Sequence, residues 1–408
     1  MGHKTISCAL EGEGQYAGNG YFFHNAQYSK YNWKKDQAVD GYPLPLALWN
    51  LPAQFASDID GAVNGQAKFK GKAYFFKDGL YTRYDWKNNK TDSGYPASLS
   101  AWKLPAKFNN GIDGVVNGEA RFKDKAYFFK KDEYVRYDWK NDAVDQGYPK
   151  KLSLWGLPAR FLTGIDAVIN GEGKFKGKAY FFKGDEYARF DWASDKLESV
   201  GKVDKWPLLF ELICAGSGKS KTFDWIWIAM PKLKAYINTL QTGAAYIYNQ
   251  ALIEQALNTH FKIPTTMAKA DKIKNLQLIY NNYSKVEKAL HNNNESFRGR
   301  NLVEATRDKA VNSAGVPYPA YTWFNSSINF TPTFLNFGPL CQAAMVLHET
   351  VHYVDGVATA ANDIYEHSPA YNTMTLAQAL HNPSSYVCFA EHLYYLKDER
   401  YGAGRPNL

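Results

Sequence analysis

The sequence predicts two architectures in one chain: an all-β four-bladed propeller over residues 1–214 and a mainly α (α+β) domain over residues 223–408, joined by a linker at 215–222. Three observations predict this. An aromatic motif recurs at a fixed interval through the first half, that interval vanishes in the second half, and helical periodicity takes its place. The 408 residues suffice for two or three domains, and 45% hydrophobic content with 22% charge describes a folded chain.

In the first half, Tyr21-Phe22-Phe23, Tyr74-Phe75-Phe76, Tyr127-Phe128-Phe129 and Tyr180-Phe181-Phe182 stand 53 residues apart, and Trp33, Trp86, Trp139 and Trp192 keep the same interval. So do Asp60, Asp113 and Asp166, with Ser7 at the matching place in the first copy. Short aromatic strands repeated at such a period read as propeller blades, because one unit cannot bury its apolar faces alone. Within the third copy, 125–129 and 133–139 read as two strands about a turn at Lys131-Asp132. Gly-Tyr-Pro at 41–43, 94–96 and 147–149 marks a loop, and a short apolar helix such as 152–157 follows it. Four copies make four blades.

These residues resemble the hemopexin-like repeat, whose blades open on an Ile-Asp-Ala-type strand and continue through a Tyr-Phe-Phe-Lys run and a Tyr-x-Arg-Tyr-Asp run. Ile59-Asp60-Gly61-Ala62, Ile112-Asp113-Gly114-Val115 and Ile165-Asp166-Ala167-Val168 carry the likeness, while Ser7 and Asn32 make the first blade the divergent one. The resemblance implies a disulfide between Cys8 and Cys214 closing the ring, and hence an oxidising, secreted or extracellular setting. It implies a module that binds a protein, glycan or small molecule. It also implies a cation such as calcium in the central channel, on backbone carbonyls around Asp60, Asp113 and Asp166. The alternative is that these three carboxylates organise the strand starts.

The segment 215–221, Ala-Gly-Ser-Gly-Lys-Ser-Lys, is small, polar and non-periodic, which predicts the linker. Beyond it, 233–259 and 268–290 carry apolar residues at helical spacing, and 320–324 and 327–330 read as strands. A helix is predicted from Pro339 to Asp355, with proline at its start and Gly356 past its end. It contains His348-Glu349-Thr350-Val351-His352. Histidines four apart share one helix face and can both reach one Zn²⁺, and the intervening Glu349 is placed to take a proton from the attacking water.

The stretch 362–371, Asn-Asp-Ile-Tyr-Glu-His-Ser-Pro-Ala-Tyr, and the later 382–390, Asn-Pro-Ser-Ser-Tyr-Val-Cys-Phe-Ala, resemble the zincin metallopeptidases of the aspzincin and lysine-specific metallo-endopeptidase group. That likeness implies an acidic third zinc ligand, Glu366 or Asp363, with the preference for Glu366; a thermolysin-like spacing makes Glu391 the next candidate. The likeness makes Tyr365 and Tyr371 candidates to donate to the oxyanion. His367, His381 and His392 read as surface or supporting groups, and Cys341 and Cys388 either pair or fill core. The reading that follows is a secreted zinc metalloendopeptidase with a propeller for substrate, receptor or matrix binding. The rival is a non-catalytic, binding or toxin-like protein whose second domain is structural; the intact Glu349 argues against it.

Other classes are excluded. The excess of 48 basic over 40 acidic groups is spread through both halves among Asp and Glu, unlike a nucleic-acid binder. No apolar run approaches the roughly 18 residues needed to span a bilayer. The opening Met-Gly-His-Lys-Thr-Ile-Ser lacks the apolar core of a secretory leader and has Ile6 where myristoylation wants Ser or Thr.

Overall fold

Two consecutive aromatic side chains on a strand point to opposite faces, so each Phe-Phe pair must be buried twice over. The computed structural model, which describes residues 6–292, 296–358 and 363–401, shows how. The chain divides into two units at Ile213/Cys214. The opening residues 1–5, Asn362 and the last residues 402–408 lie outside the described part.

In the first unit each blade is an antiparallel sheet. Its inner strands are Cys8–Glu11, Gly61–Asn64, Gly114–Asn117 and Ala167–Asn170. Each pairs with an aromatic strand, Asn19–His24, Lys72–Lys77, Lys125–Lys130 or Lys178–Lys183. Phe75 packs with Phe23, Trp49 and Tyr84 on one side of its sheet. Tyr74 and Phe76 pack with Trp102, Phe128 and Tyr137 on the other. The Tyr-Phe-Phe motif thus fills two inter-blade cores at once, each buried ring stabilising by about 1.5–3 kcal/mol. The predicted hairpin is present as Lys125–Lys130 and Glu133–Asp138, and the short helix as a 3₁₀ turn, Leu152–Trp155.

A hydrogen-bond ladder joins the inner strands. Asn64 Nδ2 donates to the Glu11 carbonyl (2.8 Å), Asn117 to the Asn64 carbonyl (2.7 Å) and Asn170 to the Asn117 carbonyl (2.8 Å). The Oδ1 atoms of the same residues accept from Trp86, Trp139 and Trp192 at 2.7–2.8 Å. This is why tryptophan keeps the repeat interval: it fixes the amide that ties its blade to the one before.

The second unit is mainly helical: α1 (Leu209–Thr242, which starts in the last residues of the first), α2 (Gln250–Phe261), α3 (Lys269–Asn292), α4 (Leu302–Arg307), α5 (Pro339–Val354), α6 (Pro369–Thr373), α7 (Leu376–Leu380) and α8 (Pro383–Tyr395). A three-stranded sheet has Ser327–Phe330 between Phe297–Gly299 and the edge strand Ala320–Trp323. Among the described residues no helix is long and apolar enough to cross a membrane.

Two expectations are corrected. The linker 215–222 is helical, part of α1. Its small residues are a packing face: a Cβ on Gly218 would meet Val346 Cγ2 at 3.1 Å and the Gln342 carbonyl at 3.2 Å, and Thr222 Oγ1 donates to the Ala343 carbonyl at 2.9 Å, all on α5. The helix predicted over 233–259 is two helices, because Gly243 (φ +76°) closes α1 and the Asn249 side chain caps α2 by accepting from the Leu252 amide. Of the four cysteines, Cys8, Cys341 and Cys388 are buried and Cys214 is half-buried. Cys8 Sγ is buried and directed at the Ala9 carbonyl, 3.8 Å away.

Candidate metal centre

Pro339 and the uninterrupted apolar face that follows start α5, and its inner side is buried from Cys341 through Leu347 to Val351. That burial fixes the helix, so His348 and His352, one turn apart, present their rings side by side with centroids 4.9 Å apart. Asp363 Oδ2 lies 2.9 Å from His348 Nε2 and 3.3 Å from His352 Nε2. The three ligand atoms fall within 4.8 Å of one another.

The other ring nitrogens are held from behind. His352 Nδ1 is 2.7 Å from the Ala358 carbonyl, which can only accept, so Nδ1 carries the proton and Nε2 keeps its lone pair. His348 Nδ1 faces Ser384 Oγ on α8 at 3.4 Å, and that hydroxyl donates onward to Glu366 Oε2 at 3.1 Å. Burial opposes a charge on His348, but the Asp363 carboxylate outweighs it and raises its pKa to about 9. Burial likewise opposes the charge on Asp363, and the two imidazoles hold that carboxyl well below the usual carboxylate range.

The donor set of two neutral-capable imidazoles and one buried carboxylate is that of a zinc site. Asp363 Oδ1 is buried and has no hydrogen-bond partner among the described residues, which leaves an acceptor available to a cation. The residues present therefore fit a divalent metal ion.

The third acidic residue corrects the preference for Glu366. Asp363 completes the cluster, whereas Glu366 is buried behind Ser384. Glu391 is fully buried on α8, accepts from the Tyr401 amide, and is pushed up to about 8 by burial; it takes no part in the cluster. Glu349 points toward the edge strand, where Thr322 Oγ1 donates to its Oε2 at 2.7 Å. Tyr365 stacks on His348, rings parallel at 5.4 Å. A cavity of about 290 Å³ opens beside them, lined among others by Ala344, Met345, Tyr365, Glu366 and Val387. Tyr371 is not at this cavity: its fully buried hydroxyl meets His260 Nδ1 (3.0 Å) and the Ser384 carbonyl (3.4 Å). Its expected oxyanion role is corrected on that ground. His367 is half exposed beside Glu366, His381 bonds Asp355 at 2.9 Å, and His392 is buried rather than on the surface.

Sequence reasoning missed Thr322, Ser384 and His260. Thr322 lay in a predicted strand, but only the packing of that strand on α5 gives its hydroxyl a meaning.

In the propeller, Asp60 Oδ2, Asp113 Oδ2 and Asp166 Oδ2 accept from the amides of Asp78 (2.7 Å), Lys131 (2.5 Å) and Gly184 (2.6 Å). These carboxylates pin the hairpin turns of their blades, and they form no metal-binding group among the described residues. The acidic end of the channel is instead built by Glu11, Glu13, Glu119 and Glu172 around a cavity of about 480 Å³.

Comparison with known proteins bears on the first unit. The hemopexin family model matches residues 112–159. The chain is 30% identical over 164 residues to matrix metallopeptidase-21 of Danio rerio, which covers 39% of this chain and 27% of that protein. It is 27% identical over 180 residues to stromelysin-1 of Equus caballus, covering 43% and 34%. It thus spans about a quarter to a third of the length of these relatives, and the matched part is the hemopexin part. Among solved structures, a seed albumin from Lathyrus sativus is similar at 20% identity and a TM-score of 0.43, covering 50% of this chain and 96% of that one. A hemopexin fold protein from cow pea gives 19% and 0.41, covering 49% and 94%. The chain carries an N-terminal all-β hemopexin-like domain followed by a mainly helical region outside those matches.

Proposed function

We propose that this chain is a zinc-dependent metalloendopeptidase whose hemopexin-like propeller binds the protein substrate, a receptor or matrix. The observation that carries the reading is the convergence of His348 Nε2, His352 Nε2 and Asp363 Oδ2, with Glu349 projecting from the same helix. His348, His352 and Asp363 would hold a zinc ion, which would supply Lewis acidity for a peptide carbonyl and for water. The protein's own groups do the rest. Glu349, steadied by Thr322, takes the proton of the attacking water and returns it to the leaving amine. Tyr365, whose ring is fixed against His348, donates a hydrogen bond to the developing oxyanion. Ser384 and the Ala358 carbonyl hold the imidazoles in the tautomer that exposes Nε2. The propeller raises the local concentration of the helical unit at a bound target. Action outside the cell belongs to the same reading and rests on the likeness to matrix metallopeptidases.

The test is hydrolysis of a peptide library by the zinc-loaded full chain and by the same chain after chelation. Cleavage that chelation abolishes and zinc restores is the expected result. A zinc-loaded, folded chain that cleaves no peptide or protein substrate would leave the structural reading of the second unit in its place.

A further inference from the structure

We propose a second zinc site in the helical unit, built by His260 at the end of α2, His392 on α8 and Asp398 just past it. His260 Nε2 lies 3.0 Å from His392 Nδ1 and 3.7 Å from Asp398 Oδ1. Two ligand atoms bound to one tetrahedral zinc stand about 3.3 Å apart, given metal–ligand bonds of about 2.0–2.1 Å. The two spacings bracket that value, as do the 2.9 and 3.3 Å of the first cluster. All three ligand atoms again lie within 4.8 Å of one another.

Burial and protonation suit the role. The two imidazoles are 0% and 1% exposed, and two imidazoles in hydrogen-bond contact deep in a core are an uncommon use of histidine. The Tyr371 hydroxyl can donate to the Ser384 carbonyl while accepting from His260 Nδ1, which leaves Nε2 as the ligand atom. The Asp398 side chain is about a third exposed, which gives the ion a way in. The ligands then tie together positions 132 residues apart, His260 and His392, and hold the segment after α8 against α2.

The charges rank the two sites. Arg400 already bonds Asp398 (Nε to Oδ1 at 2.9 Å, a terminal nitrogen to Oδ2 at 2.7 Å), and it carries a positive charge beside the site. Among the described residues no lysine or arginine is bonded to Asp363. The second site is therefore the weaker of the two and the first to lose its ion to a mild chelator.

The test is zinc content and thermal unfolding of the full chain equilibrated with a few equivalents of zinc, in wild type, Asp398→Asn and the double variant His348→Ala/His352→Ala. The expected result is two zinc ions per chain in wild type and one in each variant, with Asp398→Asn lowering the unfolding temperature of the zinc-loaded chain. Asp398→Asn is conservative and near the surface, so it reads the site even if the double variant fails to fold. Asp398→Asn with undiminished zinc, or a folded double variant that binds none, would overturn the second site and leave the three residues as a metal-free hydrogen-bond network. Two separate failures stay distinguishable: a single zinc lost from Asp398→Asn and kept by the double variant would overturn the catalytic centre and uphold this one.

Discussion

Thr322 orients the half-buried Glu349, donating to one carboxylate oxygen at 2.7 Å and leaving the other for the proton it takes. Replacing Thr322 by Val keeps the shape and removes the donor. Thr322→Val should lower kcat about tenfold through misorientation of the base, with zinc content and KM unchanged, and Thr322→Ser should restore most of it. Loss of zinc in Thr322→Val would instead assign it a purely structural role. The same scale separates the two acidic residues. Asp363→Ala should lose zinc at the first centre, whereas Glu366→Gln should keep it, because Glu366 is bonded to Ser384 and not to the imidazole Nε2 atoms. The His-Glu-Thr-Val-His spacing made three of these residues legible, since helical geometry alone places them. The carboxylate was not legible: Asp363 and Glu366 are three apart, and nothing in spacing says which one the chain turns inward. Tyr371 misled for the same reason, its hydroxyl being committed to His260, 111 positions away in sequence.

At the level of elements, the repeat interval was readable because each blade needs the same aromatic faces, and the departures from it are as informative as the repeats. Asn64, Asn117 and Asn170 have Glu11 as their counterpart in the first blade, and Trp33 Nε1 accordingly is buried with no hydrogen-bond partner among the described residues. Burial, and then the nearby Glu172 and Glu119, raise the Glu11 carboxyl to about 7 in spite of the Asn170 amide it accepts from. A carboxyl whose folded pKa lies above its unfolded value destabilises as pH rises between the two, from about 4.5 to about 7. Glu11→Asn restores the repeat, so it should stabilise the propeller by about 1 kcal/mol and flatten the decline between pH 4.5 and about 7. An unchanged melting profile at both pH values would contradict this. The segment 215–221 shows the opposite error. Glycine and serine read as a linker because propensity is blind to packing, yet Gly218 lets α1 approach α5. Gly218→Leu should cost about 1–3 kcal/mol of stability by overpacking that contact, measured by chemical denaturation; no loss would mean that the helices are not held this closely.

At the level of the whole molecule, the division into an aromatic, repeat-built β unit and a helical unit was legible from the change of period, since strands and helices demand different spacings of apolar residues. The long-range groups were not: Asp398 with His260, and Ser384 with His348, meet only after the helices pack. Any metal bound by the folded helical unit and not by the unfolded chain stabilises it by mass action. Chelation should therefore lower the unfolding temperature of that unit by several degrees, followed by helical circular dichroism, and zinc should restore it; an unfolding curve indifferent to chelator would argue that neither cluster holds a metal. The measurement that bears most directly on the proposed activity is peptide cleavage by the Glu349→Gln variant, compared with wild type at equal zinc content. If Glu349 is the general base, the variant keeps its zinc and its fold and loses on the order of 10²-fold or more of turnover. Cleavage at the wild-type rate by a zinc-loaded Glu349→Gln chain would contradict the hydrolytic mechanism outright.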